Sequence, residues 1–208
     1  NNNVSVLKLN SSNEIELKTE ISFENPESLA ITPDGNVIAI GNNTNIILYG
    51  IYSNNTPERI GNIFVGNSNY MNMALSGNGK SIAFTTEKSI AFTTESKALV
   101  YRYKSAFEWE LITPVRGLSS SKRFKSIDID YEGTTVVCGN SDLKTFEIFS
   151  LEKNNGSYSW RSSSFAGSND ESLGESVSIN NNFIAVGDPE SNEGRGKIDI
   201  YKKKKTLN

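Results

Sequence analysis

Histidine is absent from this chain of 208 residues. It is the commonest general base, a common zinc ligand and the side chain that titrates near neutral pH, so its absence argues against each of these roles. A single cysteine, Cys138, has no partner for an intramolecular disulfide. Its strand reads Val-Val-Cys, and no neighbouring cation in the sequence would lower the pKa of the thiol. A small buried apolar residue is therefore favoured over a reactive thiol.

Long apolar runs and a strong net charge are also missing. Apolar residues make up 36% of the chain, and no run approaches the roughly 18 residues that span a bilayer. The formal net charge of −3 is too small to indicate a nucleic-acid partner, and the lysines at 202–205 are interpreted as a solvated tail. We therefore expect no membrane insertion and no nucleic acid. Residues 1–4 do not resemble a signal peptide, but a leader is removed on maturation, so the compartment stays open.

A strand–turn–strand motif recurs four times along the chain. Each copy begins with an alternating apolar strand and passes through a turn of Gly, Asn and Asp into a strongly apolar strand. A third strand follows and carries an aromatic residue near its end. These aromatics, Tyr49, Tyr101, Phe149 and Tyr201, lie 52, 48 and 52 residues apart. Tandem strand repeats of this length are typical of β-propeller blades.

The sequence therefore predicts an all-β fold, a small β-propeller of about four blades built from four-stranded antiparallel sheets. Residues 1–208 form one domain, with repeats at approximately 22–65, 66–112, 119–161 and 166–201, and with closing strands in 1–21. The last repeat has three strands, so we expect the strand at 14–21 to supply its outer strand and close the ring. The strand at 4–9 then either adds a fifth strand or indicates an open ring.

The second repeat contains a tandem duplication of eight residues. Residues 81–88 read Ser-Ile-Ala-Phe-Thr-Thr-Glu-Lys, and residues 89–96 repeat them with Ser in the last place. Only one copy can take the second-strand position, so the other is expected to bulge out or to form an extra hairpin. Its role is either a tolerated insertion at a blade edge or a protrusion whose apolar Ile-Ala-Phe core is buried against another subunit of an oligomer.

The last repeat carries the most specific motif. Ser172-Leu-Gly-Glu-Ser-Val-Ser-Ile179 is followed by Phe183-Ile-Ala-Val-Gly-Asp-Pro189 and Gly194-Arg-Gly-Lys-Ile-Asp-Ile-Tyr201. This pattern resembles the FG-GAP repeat of integrin-alpha-like propellers. Leu173-Gly174 stands where that family has Phe-Gly, and Gly187-Asp188-Pro189 stands where it has Gly-Ala-Pro. The resemblance covers residues 166–201, whereas the other repeats keep the general skeleton of propeller blades.

The resemblance also implies a calcium site to look for. FG-GAP propellers often hold calcium in the first hairpin, through alternating Asp and Asn residues that end in Gly. Asp128, Asp130 and Glu132, before Gly133, are the local match. Calcium takes about six to eight oxygen ligands, and Val136 stands where a closing carboxylate is expected. The two interpretations are a calcium site at these three residues and ordinary turn acids without a cofactor.

The sequence offers no paired acid and base for catalysis. The first strands, which line the channel of a propeller, present Ala30, Ala74, Asp128 and Ser178 between their apolar residues, and these include one carboxylate. We therefore expect no enzyme but a non-catalytic protein-interaction or structural module, whose partner is a protein or a larger assembly. The Asn-rich and Lys-rich composition is typical of AT-rich genomes such as those of protists and large DNA viruses, which makes a virion one such assembly.

Aromatic residues are the candidate contacts of this module. Trp109 and Trp160 occupy equivalent places in outer strands, and Tyr52, Tyr70 and Tyr158 lie in loops. The two tryptophans are interpreted either as packing anchors at the blade rim or as a ligand platform. The alternative function is a carbohydrate-binding or calcium-dependent adhesion module at a cell or particle surface. That function would need exposed aromatics on one face or a filled calcium site.

Overall fold

The computed structural model describes residues 2–66, 72–90, 93–105, 107–115, 124–154, 157–167 and 172–203. These residues form a two-stranded N-terminal hairpin followed by four antiparallel blades, so the predicted all-β propeller of about four blades is confirmed. Within this part of the chain, no helix has the length and apolar character needed to cross a membrane.

The strands follow one another in chain order, and within each blade they run from the innermost strand, A, to the outermost, D. The hairpin consists of β1 (Asn3–Leu9) and β2 (Ile15–Ser22). Blade 1 consists of β3 (Ser28–Ile31), β4 (Val37–Gly41), β5 (Asn45–Ile51) and β6 (Pro57–Phe64). Blade 2 consists of β7 (Met73–Leu75), β8 (Ser81–Ile90), β9 (Thr93–Ser105) and β10 (Glu108–Val115). Blade 3 consists of β11 (Ser126–Ile129), β12 (Thr135–Asn140), β13 (Thr145–Asn154) and β14 (Ser157–Ala166). Blade 4 consists of β15 (Ser176–Ile179), β16 (Phe183–Asp188) and β17 (Lys197–Lys202).

Glycine sets the turn between strands A and B in the first three blades. Gly35, Gly79 and Gly133 have φ values of 69°, 68° and 71°, a left-handed conformation that residues with a Cβ rarely adopt. Because the strands of a blade are antiparallel, the A–B and C–D turns lie at the same edge. We call this edge of the propeller the turn edge, and it carries the candidate site described below.

Successive blades pack face to face through apolar side chains. Each blade has a leading face toward the preceding blade and a trailing face toward the following one. Between blades 1 and 2, Ile46 and Leu48 of the trailing face pack with Met73 and Leu75 of the leading face. The same arrangement recurs between blades 2 and 3 and between blades 3 and 4. In blade 3, which has a neighbouring blade on each side, strand B is buried on both faces, and every residue of β12 is buried.

The N-terminal strands depart from the prediction. β2 pairs with β1, and the last blade holds three strands within the described chain. The expectation that residues 14–21 complete the last blade is therefore wrong. A local hairpin forms because the Asn10 side chain accepts hydrogen bonds from the backbone N–H groups of Ser12 and Glu14, both at 2.9 Å, and so caps the connecting turn. The strand at 4–9 is the partner of β2.

The hairpin also covers the leading face of blade 1. Val4, Val6 and Ile21 are buried there against Ile38 and Ile40 of strand β4. By burying these apolar side chains, the hairpin stabilises a face that a preceding blade would otherwise cover.

The duplicated segment lengthens the second hairpin of blade 2. β8 contains the first copy and the start of the second, and it pairs with β9 as far as Ile90 opposite Thr93. The described residues of the second copy therefore extend the hairpin of strands B and C, which is neither the bulge nor the separate extra hairpin that was expected. Residues 91 and 92 lie outside the described residues.

Candidate interaction site

Asp128, the carboxylate expected in the channel, connects the inner strands of blades 3 and 4. Its Oδ2 accepts hydrogen bonds from Ser178 Oγ at 3.0 Å and from the backbone N–H of Ile179 at 2.8 Å. Its Oδ1 accepts from the backbone N–H of Ile129 at 2.8 Å. Burial raises the pKa of Asp128, and these hydrogen bonds offset part of the rise. The geometry gives Asp128 a structural contact between blades.

Asp130 stabilises the A–B turn of blade 3. Its Oδ1 accepts hydrogen bonds from the backbone N–H groups of Thr134 and Thr135 at 2.8 and 3.0 Å. Its Oδ2 forms an ion pair with Lys203 Nζ at 3.1 Å. Burial acts to raise the pKa of Asp130, but the two amides and the Lys203 ammonium outweigh it, so the pKa lies below its ordinary value. Asp130 is thus held ionised by the turn.

In the A–B turns of blades 1 and 2, hydroxyl groups accept the equivalent backbone hydrogen bond. Thr32 Oγ1 accepts from the backbone N–H of Val37 at 3.0 Å, and Ser76 Oγ accepts from the backbone N–H of Ser81 at 2.9 Å. Asp130 occupies the equivalent position in blade 3. An oxygen acceptor at this position is therefore a feature of the repeat, whatever its charge.

The three predicted calcium ligands do not converge on one point. Glu132 is exposed, and its Oε2 accepts a long hydrogen bond of 3.5 Å from Asn78 Nδ2 of blade 2. Across the described ranges, no group of three acidic or cysteine side chains is arranged to hold a metal ion. Calcium at Asp128, Asp130 and Glu132 stays a prediction, which chelation can test.

The two tryptophans pack inside the blade rim. Trp109 is buried, its Nε1 donates to the backbone oxygen of Ile60 at 3.3 Å, and its ring meets Tyr103 edge to face with the centroids 5.8 Å apart. A Cβ at Gly61 would overlap the indole. Trp160 is half-buried against the core between blades 2 and 3, and its buried N–H has no hydrogen-bond partner among the described residues. Neither side chain presents an open platform to a ligand.

Cys138 is fully buried in β12. Burial, together with the neighbouring Glu147 carboxylate, raises the pKa of its thiol well above the ordinary value. The thiol is therefore protonated at neutral pH, which agrees with the expected apolar role.

Two of the predicted loop tyrosines are exposed at the turn edge. Tyr52 follows strand C of blade 1, and Tyr158 begins strand D of blade 3; their exposed fractions are 51% and 53%. Tyr52 lies in a C–D turn, whereas Tyr158 lies in strand β14 beside one, so the loop position expected for Tyr158 is wrong; both residues lie at the turn edge. Tyr70 lies outside the described residues.

Three further exposed aromatics, which the sequence analysis missed, lie at the same edge. Tyr103 and Phe107 flank the C–D turn of blade 2, and Tyr131 lies in the A–B turn of blade 3. Phe107 is 67% exposed and has a φ of 65°. The available signal was their position, since each lies within or beside a turn that the repeat already predicts. We call Tyr52, Tyr103, Phe107, Tyr131 and Tyr158 the aromatic turn face.

The FG-GAP-like residues of the last repeat lock blade 4 onto blade 3. Leu173 is buried in the core between these blades. Gly174 has a φ of 94°, and its N–H donates to the backbone oxygen of Gly187 at 3.1 Å. Asp188 Oδ1 accepts a hydrogen bond from the backbone N–H of Ser172 at 2.7 Å. These residues fix the turn before β15 against β16.

Comparison with solved structures finds propellers. Hsv2 of Kluyvelomyces marxianus superposes with a TM-score of 0.62 at 13% identity, covering 99% of this chain and 68% of that one. The β-propeller domain of Cps50 (Swd1) of Myceliophteria thermophila gives 0.60 at 10% identity, covering 86% and 54%. Hydrazine synthase of Kuenenia stuttgartiensis gives 0.63 at 12% identity, covering 96% and 65%.

These similarities establish the fold alone, because all three identities are low. The chain spans about half to two thirds of the length of these structures. No protein-family model and no curated protein matches the chain.

Proposed function

We propose that this chain is a non-catalytic protein-interaction module and that its partner binds to the aromatic turn face. The observation that carries the proposal is the exposure of five aromatic side chains along one edge of packed, rigid blades. Aromatic side chains are enriched in protein interfaces because they bury a large area while losing little conformational entropy. A protein partner would cover this apolar area and find it already positioned.

The backbone at Phe107 supports the same site. A φ of 65° is rare for a bulky side chain, and strain of this kind is concentrated at functional sites. Phe107 is 67% exposed, so the phenyl ring gains little burial within the chain from this conformation. A partner that receives the phenyl ring would provide that gain.

The non-catalytic part of the proposal rests on the acidic groups. The carboxylate of Asp128 is engaged by blade 4 and that of Asp130 by its turn and Lys203, so both are committed to structural contacts rather than to proton transfer. The fold does not decide the question, because structures of similar fold include a hydrazine synthase as well as a β-propeller domain of Swd1.

We further propose that the last repeat is of the FG-GAP type and that the chain belongs to a larger assembly. The contacts of Leu173 and Gly174 support an FG-GAP type for the last repeat, since both residues perform a specific packing role at the motif position. A larger assembly, with a virion as one example, is what the Asn-rich and Lys-rich composition favours as the context for such a module.

Affinity capture with a matched pair of variants tests the proposed function. The first variant, Tyr52→Ser/Phe107→Asn/Tyr158→Ser, removes apolar area from the aromatic turn face. The control, Leu143→Asn, removes an exposed apolar residue from the opposite edge. We expect the wild-type protein and the control to retain a stoichiometric protein partner from the native source, and the triple variant to lose it. Absence of a stoichiometric partner, or equal retention by both variants, would contradict the proposal.

A carbohydrate-binding or calcium-dependent adhesion module is the second candidate, because exposed tyrosines on one face also suit sugar rings. Glycan-array binding that the same triple variant abolishes would support it in place of a protein partner. Calcium dependence is tested separately by thermal unfolding with and without a chelator. A lower melting temperature in chelator, abolished in Asp130→Asn, would support the calcium site, and an unchanged one would count against it.

A further inference from the structure

The two ends of the blade array expose residues that are buried everywhere else in the repeat. The trailing face of each blade carries two apolar side chains on strand C. In blade 1 these are Ile46 and Leu48, and both have an exposed fraction of 0%. In blade 4 the equivalent residues are Ile198 and Ile200, and both are 70% exposed. The register supports the equivalence, since Leu48 pairs with Ala39 and Ile200 pairs with Ala185.

At the other end of the array, the leading face of blade 1 exposes the apolar residues that a preceding blade would contact. Strand A of each blade carries an apolar pair that faces the preceding blade. Met73 and Leu75 of blade 2 are each 8% exposed, whereas Leu29 and Ile31 of blade 1 are 53% and 51% exposed. The N-terminal hairpin covers strands B and C of blade 1 but leaves this pair uncovered.

The hairpin presents a leading face of its own. Val4 and Val6 of β1 pack against strands B and C of blade 1, so the hairpin lies where the outer half of a preceding blade would lie. Its opposite face exposes a patch of four cross-strand neighbours, in which Leu7 pairs with Leu17 and Leu9 with Ile15. The four side chains are Leu7, Leu9, Ile15 and Leu17.

We propose that two copies of this chain associate head to tail through these ends. The tail is the trailing face of blade 4, with Ile198 and Ile200. The head is the exposed face of the hairpin together with Leu29 and Ile31. A second copy is the occupant that the repeat itself favours, because every internal contact between blades joins a trailing face to a leading face. A contact between two copies would join a trailing face to a leading face in the same way.

Such a contact is heterologous: it joins two different surfaces and leaves one head and one tail free in each pair. Further copies can therefore bind one after another, either until the assembly closes into a ring or as an open linear assembly. The contact uses the ends of the array and not the aromatic turn face, so it is independent of the proposed function.

Complementary variants test this geometry. The tail variant, Ile198→Lys/Ile200→Glu, changes side chains that point away from blade 3. The head variant, Leu7→Lys/Leu17→Glu, places opposite charges across the hairpin pair, which preserves strand pairing. The matched control, Leu143→Lys, changes an exposed apolar residue in the B–C turn of blade 3 that belongs to neither end. Circular dichroism and thermal unfolding verify that each variant is folded, and Ile198→Thr/Ile200→Thr replaces the tail variant if it is not.

Sedimentation over a wide range of concentration gives the result. We expect the wild-type protein and Leu143→Lys to exceed the monomer mass of 22.9 kDa increasingly as concentration rises. The head and tail variants should each remain monomeric, and an equimolar mixture of the two should form a one-to-one dimer and nothing larger. A monomeric wild-type protein at all concentrations would overturn the proposal. Self-association of either variant alone would do the same, since it would indicate a contact between like surfaces.

Discussion

At the scale of single residues, position in the repeat decides the role of an acidic side chain. Asp130 resembles a calcium ligand in sequence, yet it fills the place at which Thr32 and Ser76 accept turn hydrogen bonds. The sequence offered both interpretations because an alternating acidic pattern fits either. Only the contacts reveal that Lys203, 73 positions later, lies beside the carboxylate.

Replacing Asp130 by Asn tests whether its charge stabilises the fold. The pKa of Asp130 is lowered in the folded state, so the ionised carboxylate contributes stability above its unfolded pKa of about 4, and that contribution is lost as pH falls through the folded pKa. Asp130→Asn keeps an acceptor but removes the charge beside Lys203. We expect it to lower the free energy of unfolding by about 1–2 kcal/mol at neutral pH and to weaken the acid sensitivity.

Urea unfolding at neutral pH and at about pH 3 measures both effects. Asp128, whose pKa is raised by burial and in part by the Asp130 carboxylate, shifts the pH dependence in the opposite direction, so the same pair of proteins is also compared in an Asp128→Asn background. Glu132→Gln, which removes an exposed carboxylate from the same turn, is the control. Equal pH profiles for Asp130→Asn and the wild-type protein would contradict the prediction.

At the scale of strands and blades, packing between neighbours decides which aromatics are available. Trp109 and Tyr103 face each other across paired strands β10 and β9, yet one is buried and the other is 41% exposed. The buried indole fits because the neighbouring strand of blade 1 has Gly61, which leaves room for it. Composition and spacing marked Trp109 as a rim residue but did not reveal this pairing.

A double-mutant cycle tests the contact between Gly61 and Trp109. A Cβ at position 61 would overlap the indole, so Gly61→Ala should destabilise the protein by about 1–3 kcal/mol through overpacking. In a Trp109→Leu background the indole is gone, and the same substitution should cost much less. Thermal or urea unfolding of the four proteins provides the coupling. Equal costs in both backgrounds would mean that the indole does not occupy this space.

The sequence predicted the regular parts of the blades well, because local patterns encode them. Alternating apolar residues, glycine turns and strongly apolar second strands identified the A, B and C strands, and Trp109 and Trp160, expected in outer strands, lie in β10 and β14. The prediction of which strand pairs with β2 was wrong, because an alternating apolar pattern does not specify the neighbouring strand. A short turn that begins at Asn10 decided that choice in favour of β1.

At the scale of the whole molecule, the fold is an array whose units differ in the number of neighbours. Blades 2 and 3 pack on both faces, whereas blade 4 packs on its leading face and exposes Ile198 and Ile200 on the other. Periodicity predicts the blades but not these ends, since the end residues have the same pattern as the buried ones. What differs is whether another unit covers them.

Hydrogen exchange should therefore reveal a gradient of stability along the chain. In a repeat array, stability is approximately the sum of the intrinsic stability of each unit and its contacts with neighbours. We expect the amides of β11 and β12 to exchange slowest and those of β1, β2 and β17 to exchange fastest, with about a tenfold difference in rate for each 1.4 kcal/mol of local stability. Mass spectrometry of peptides from the tail variant at low concentration measures this gradient without any head-to-tail contact. Equal protection of the amides in all four blades would contradict the predicted gradient. The protein would then unfold as one cooperative unit, with its end blades as stable as its inner blades.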